Sequence, residues 1–195
     1  NKKPYVIISF DDGHYDIIEN ALPSLQKYGL KFNVNIDTEI LSTGLPQDNV
    51  RVYDVLNQTQ KKCYQNPKYF SEPVTIRQDS STELKFSKIL RKLGKKDRRE
   101  LSNNVFKILG NEQISFSKVV SIEDVKHLSR LNVEIGSHSH SHAMLINLSE
   151  DEIRYELSHS KHVLEELTKK PVKVIAYPNG LSNDKIDSIS KELGY

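Results

Sequence analysis

Three histidines fall within five residues, His138, His140 and His142, directly after Val133-Glu134-Ile135-Gly136-Ser137. Val133 and Ile135 alternate with polar neighbours, which reads as a short buried strand, and Gly136 lets the backbone turn tightly at its end. Imidazole is a common ligand for transition metals, and packing gives little reason to gather three on a polar loop. On a helical turn, residues four apart share a face, so His138 and His142 can address one ion while His140 points elsewhere. A site of this kind takes a third protein ligand, often a carboxylate. Asp11-Asp12-Gly13 follows another apolar run, Tyr5 to Phe10, which reads as a buried strand. Adjacent side chains of an extended chain point in opposite directions, so one aspartate can bind a metal while its neighbour faces a substrate. Asp-Gly is also a common turn pair. Two strand ends that both carry ligand-type residues favour a site over a turn.

Ser9-Phe10-Asp11-Asp12-Gly13 resembles the first motif of the polysaccharide deacetylases, the nodulation-protein-B type also called carbohydrate esterase family 4. His138-Ser139-His140-Ser141-His142 is similar to their second motif, His-Ser/Thr-x-x-His, and Ala176-Tyr177-Pro178-Asn179-Gly180 to a Tyr-Pro-x-Gly form of the third. The motifs come in the family's order, and the resemblance covers residues 4 to 44 and 119 to 195. It implies Asp12, His138 and His142 as ligands of a divalent metal, zinc being the expected ion, with Asp11 as general base. It implies a backbone N–H near Asn179 for the oxyanion, Ser139 as a hydrogen-bonding group behind the ligands, and Tyr177 and Pro178 beside the substrate. His14, next to the first motif, is a further candidate for substrate contact. Many members have Arg where Ala176 stands, and that Arg orients the base; many have Tyr where Asn179 stands. The family's later motifs, including a histidine that resembles a general acid, do not occur in these residues.

These residues need elements to hold them. Lys31 to Ile36 alternates and reads as a second strand, and Val172 to Tyr177 as a fourth. Helices are expected from about Asp16 to Tyr28, with a kink or break at Pro23, from Ser121 to about Leu131, and from Asn183 to Leu193. Ser149-Glu150-Asp151-Glu152 reads as a capping box opening a long helix to about Thr168, with Ile153, Leu157, Leu164 and Leu167 inward and His159 and His162 at the surface. Alternating strands and helices argue for parallel βα units, with all three motifs at C-terminal strand ends, the face where such barrels assemble their chemistry. The expected fold is therefore α/β: a single, partial and distorted (β/α) barrel of the polysaccharide deacetylase type over 1–195, lacking its C-terminal strands. Residues from about 50 to 118 lack strand patterning and read as a helical insertion, with helices near 83–93 and 97–109.

At 36% hydrophobic and 28% charged, the 195 residues have the composition of a globular domain. No apolar run approaches the roughly 20 residues that span a bilayer. No leader is visible, which favours the cytoplasm, or the cell envelope if a leader was removed. The single cysteine, Cys63, excludes an internal disulfide framework. Residues 51–118 hold 15 Lys/Arg against 7 Asp/Glu, a net +8, while each flank is −3. A solvated helical face accounts for that charge, and so does contact with an anionic substrate or membrane surface. The expected partner is a carbohydrate, anionic if the basic segment touches it; no nucleic acid is expected. The leading activity is removal of N-acetyl or O-acetyl groups from a sugar or glycan precursor. The alternatives are a catalytically silent carbohydrate-binding domain and a hydrolase of non-sugar amides.

Overall fold

The computed structural model describes residues 6–59, 62–110, 113–131 and 133–195. Three short parallel strands, β1 (Ser9–Phe10), β2 (Asn33–Ile36) and β5 (Glu134–Ser137), form a sheet in the order β1-β2-β5. Phe10 pairs with Val34, and Ile36 with Ser137, so the residues that follow β1 and β5 emerge from one end of the sheet. Parallel neighbours need crossover connections, and helices supply them. A π-helical segment, Ile17–Ala21, runs into α1 (Leu22–Lys27) and leads from β1 to β2. Pro23 sits in the first turn of α1, where its missing N–H costs nothing, so the expected break falls just ahead of it. After β2 comes α2 (Glu39–Thr43), a short helix that the sequence reading did not assign.

Helix α6 (Ile122–Arg130) precedes β5, and α7 (Glu150–Thr168) and α8 (Asp184–Glu192) follow it. Both α6 and α7 begin with the full capping box, Ser121 with Asp124 and Ser149 with Glu152. Each box satisfies N–H groups the helix cannot pair itself, a cap being worth about 1 kcal/mol. Val34, Ile36, Val120, Val125, Leu128, Leu164 and Val172 form the core beneath the sheet. A second cluster, Leu145, Ile153, Leu157, Ile186 and Ile189, packs α7 to α8.

Two expected strands are shorter than read. Pairing in the first covers only Ser9–Phe10, and Val6 and Ile7 are 89% and 75% exposed, because among the described residues no strand neighbours that edge of the sheet; Tyr5 lies outside the described residues. The 172–177 run makes one parallel bridge, Ser137 to Ile175, flanked by hydrogen bonds from Ser137 N–H to Val174 O and from Ala176 N–H to Ser137 O. Pairing on one side alone, and a 3-10 turn at Pro178–Gly180, keep it from becoming a strand. The sheet is thus an open arc of a distorted (β/α) barrel.

Leu45–Ser117 forms a second compact unit, and residues up to Gly44 and from Lys118 onward form the first. The second unit holds α3 (Asp48–Gln58), α4 (Ser80–Leu90) and α5 (Lys95–Leu109). It also holds a minimal antiparallel hairpin, β3 (Cys63–Tyr64) with β4 (Val74–Thr75), that no sequence pattern announced. Val52, Val55, Leu56, Tyr64, Phe86, Leu101 and Val105 fill its interior. Part of its basic charge is neutralised internally: Arg99 and Arg51 pair with Asp48, and Lys68 with Asp97 and Glu100. Among the described residues no helix is long and apolar enough to cross a membrane.

Candidate metal centre

Asp12, His138 and His142 converge, with their ligand atoms all within 4.8 Å of one another. Asp12 Oδ1 lies 3.3 Å from His138 Nε2 and 3.2 Å from His142 Nε2, and the two rings are 5.0 Å apart. Both imidazoles are buried and Asp12 is partly so. A carboxylate oxygen and two imidazole nitrogens aimed at one point are a donor set suited to a divalent metal with positions left open. His138 and His142 do not share a helical face, as their spacing suggested. They sit on an irregular loop, and backbone turns bring them together.

Those turns are strained. Asp12, Ser139, His142 and Asn179 all have left-handed backbones, with φ of 69°, 68°, 51° and 58°; of the non-glycine residues described, only Lys169 shares this outside the three motifs. Such conformations cost about 1–3 kcal/mol each and persist where their surroundings fix them. Gly13, at φ 64°, follows Asp12, and a Cβ there would meet Ile40 Cδ1 at 2.6 Å. The histidine loop is clamped from two sides. Thr38 N–H donates to Ser139 O and Glu39 N–H to His140 O, at 3.3 and 2.8 Å. From α7, Glu156 accepts the N–H groups of His140 and Ser141 on Oε2, at 2.9 and 2.7 Å, and the Ser141 hydroxyl on Oε1, at 2.6 Å.

The contacts of His138 fix its chemistry. Its Nδ1 lies 2.8 Å from the Ala176 carbonyl. A carbonyl only accepts, so Nδ1 carries the proton and Nε2 is the nitrogen that faces Asp12 and is free to hold a metal. Burial pushes the His138 pKa down, but Asp12, then the Ala176 carbonyl and Asp11, outweigh it, and the net shift is upward. Burial also opposes ionisation of Asp12, yet the hydrogen bonds and charges of His142 and His138 hold its carboxyl far below the usual range. Without a metal the trio is an ion pair around a proton, and a cation can take that proton's place.

Asp11 is exposed beside this centre and accepts a hydrogen bond from Asn35 Nδ2 at 2.7 Å. The other expected residues fare unevenly. Ser139 does not orient a ligand through its side chain: Oγ has no partner among the described residues, and the residue contributes its backbone, N–H to Ser137 Oγ and carbonyl to Thr38. Tyr177 turns away from the ligands; its ring packs on the α7–α8 cluster and its hydroxyl lies 3.0 Å from Ser190 Oγ. Pro178 is buried at the head of the 3-10 turn, and Asn179 is exposed, its Nδ2 3.0 Å from Met144 Sδ. His14 pairs with Val119 in an isolated bridge and is not part of the ligand trio. His159, expected at the surface, is half-buried, stacked on Tyr155 and edge-on to His140.

Three supporting residues escaped the sequence reading. Glu156 lies on the inward stripe of α7 with Ile153, Leu157 and Leu164, and a carboxylate among core positions was the available signal. Asn33 and Asn35 are buried in β2, where asparagine is a poor strand former, so two at alternate positions were a signal as well.

No curated protein sequence gave a significant match. Among solved structures, a Streptococcus pyogenes deacetylase, PplD, in complex with acetate superposes with a TM-score of 0.59 at 19% identity, over 99% of this chain and 54% of that one. The BpsB deacetylase domain from Bordetella bronchiseptica gives 0.54 at 15%, over 97% and 61%. A CE4 family pseudoenzyme from Bacillus anthracis gives 0.57 at 14%, over 99% and 42%. The chain thus spans about half the length of the structures it resembles, and at these identities the likeness establishes the fold, a distorted (β/α) barrel of the polysaccharide deacetylase type. Residues 99–195, just under half of the chain, contain the histidine loop and the third motif and match the family model described as polysaccharide deacetylase.

Proposed function

We propose that this chain is a metal-dependent hydrolase that removes N-acetyl or O-acetyl groups from a sugar or glycan. The observation that carries the reading is the convergence of Asp12, His138 and His142, with a second carboxylate, Asp11, on the adjacent residue. Asp12 Oδ1, His138 Nε2 and His142 Nε2 are the atoms we assign to the ion. A divalent ion bound there, zinc in our reading, supplies Lewis-acid polarisation of the acetyl carbonyl and lowers the pKa of water. Asp11 takes the proton from the attacking water, as a general base held next to the ligands. The N–H of Asn179, in its left-handed turn, donates to the oxygen that gains negative charge at the acetyl carbon. The clamps from Glu156 and Thr38 keep the histidine loop in place, so that little reorganisation is needed during the reaction.

A second reading, a silent carbohydrate-binding domain, is favoured by Ala176 in the third motif and by the pseudoenzyme among the similar structures. Asp11 favours the enzyme, since a binding domain has no use for a base. Metal analysis of the purified protein, paired with acetate release from a panel of N-acetyl and O-acetyl sugars, separates the readings. About one equivalent of zinc with acetate release supports the enzyme. Bound sugar without acetate release supports the silent domain, and release from non-sugar amides alone supports a different hydrolase.

A further inference from the structure

Asn35 sits in the middle strand of the sheet, 2% exposed, with its amide between two other strands. Its Nδ2 donates to Asp11 Oδ1 at 2.7 Å and to Ser9 Oγ at 3.1 Å. Its Oδ1 accepts from Asn33 Nδ2 at 2.7 Å. The direction of this chain is set by chemistry. An ionised carboxylate accepts only, so Asn35 must present its NH₂ to Asp11, and its carbonyl then faces the NH₂ of Asn33. The neighbouring strand makes room for the arrangement: Gly136 is paired with Asn35, and a Cβ at 136 would overlap Asn35 Oδ1. Burying two amides in a strand is costly unless they are paired, and apolar residues would fill β2 at lower cost. Residues from three strands are thus committed to holding one amide under one exposed carboxylate.

We infer that Asn35, locked by Asn33 and given room by Gly136, is a positioning residue for Asp11. It holds Oδ1 and leaves Oδ2 to face the reaction. This rests on the assignment of Asp11 as base made above. An exposed aspartate on a turn otherwise rotates freely about its side-chain bonds, and a base must be held within hydrogen-bond reach of the proton it takes.

The test uses the 195-residue chain loaded with zinc and an N-acetylglucosamine tetramer as probe. Asn35→Ala should lower kcat by about 10- to 100-fold, the scale of an ångström-sized misplacement, with KM and zinc content unchanged. Because Asn35 acts through Asp11, the same substitution should cost almost nothing further in an Asp11→Asn background. Should Asn35→Ala fail to fold, Asn33→Ala keeps Asn35 and removes its lock, and a smaller loss in kcat alone is expected. Crystal structures of the zinc-loaded parent and variant should show the Asp11 carboxylate turned in the variant. Parent-like turnover, an undiminished loss in the Asp11→Asn background, or an unmoved Asp11 carboxylate overturns the inference. If the parent releases no acetate, the deacetylase reading fails, and the position of the Asp11 carboxylate still decides the role of Asn35.

Discussion

Around Asp12 the interior of the first unit holds Asn33, Asn35, Ser137, His138, Ser141, His142 and Glu156, and their bonds join segments far apart in sequence. In Leu45–Ser117 the interior is apolar and aromatic, with Tyr64, Phe70 and Phe86 in mutual ring contact. Its buried threonine hydroxyls bond mainly to nearby backbone: Thr59 donates back to Val55 O, and Thr82 accepts from the N–H of Arg77, just ahead of α4. Backbone strain divides the same way, since no described non-glycine residue of Leu45–Ser117 has a positive φ. Buried polar networks and left-handed residues are expensive, and this chain concentrates both where three motifs meet. The contrast separates a unit with a buried polar centre from one built for packing.

The sharpest way to break that contrast is the aspartate pair. Asp12→Asn replaces a charged ligand with a weak neutral one, so metal and activity should both be lost. Asp11→Asn leaves the trio intact, so metal should stay while turnover falls by about 10² to 10⁴, the usual contribution of a positioned base. Metal content by mass spectrometry and acetate release should therefore dissociate between the two variants. Reversed metal contents would exchange the two roles, and unchanged metal in both would remove the pair from the site.

The second unit should respond in stability alone. Phe86 is fully buried and in contact with Tyr64 and Phe70, and Phe86→Ala should cost about 3–5 kcal/mol, as transfer plus cavity. Denaturant unfolding measures the loss, and zinc titration of the folded variant should match the parent. A variant with parent-like stability and weakened zinc binding would end the division of labour drawn here.

The sequence revealed what local pattern encodes. Strand ends at Phe10 and Ser137, the helix start at Ser121 and the capping box at Ser149 were readable because each depends on a few neighbouring residues. The strand at 172–177 was not, because a strand exists only where a partner pairs with it, and Ile175 has a single bridge. The loop from His138 to His142 was read as helical spacing, yet it works through left-handed turns at Ser139 and His142 that residue types do not announce. Tyr177 was placed by its motif, although its ring is drawn into an apolar cluster. Alternation in Asn33-Val34-Asn35-Ile36 located β2, a pattern that ordinarily belongs to a half-buried strand. All four residues are buried, because the asparagines satisfy each other and Asp11.

The smallest expected effect is in pH, and it sharpens the metal assignment. In the metal-free protein the His138 pKa is raised above its ordinary 6.5, because Asp12 outweighs burial. The protonated imidazole therefore adds stability that is fully present below the unfolded value and fades as pH climbs through the higher native value. Asp12 acts with the opposite sign: its depressed pKa adds stability that is present above the unfolded value and lost only in strong acid. Between about pH 6 and 8 the His138 contribution changes while that of Asp12 does not, since the native and the unfolded Asp12 values both lie far lower. A divalent ion on Nε2 must displace that proton, so zinc affinity should rise by about tenfold per pH unit until His138 is neutral. Melting temperatures of metal-free and zinc-loaded protein should accordingly diverge as pH rises, the first losing the His138 ion pair and the second gaining metal affinity. Curves that stay parallel across this range would mean that zinc does not compete for the His138 proton, and that the ion sits elsewhere.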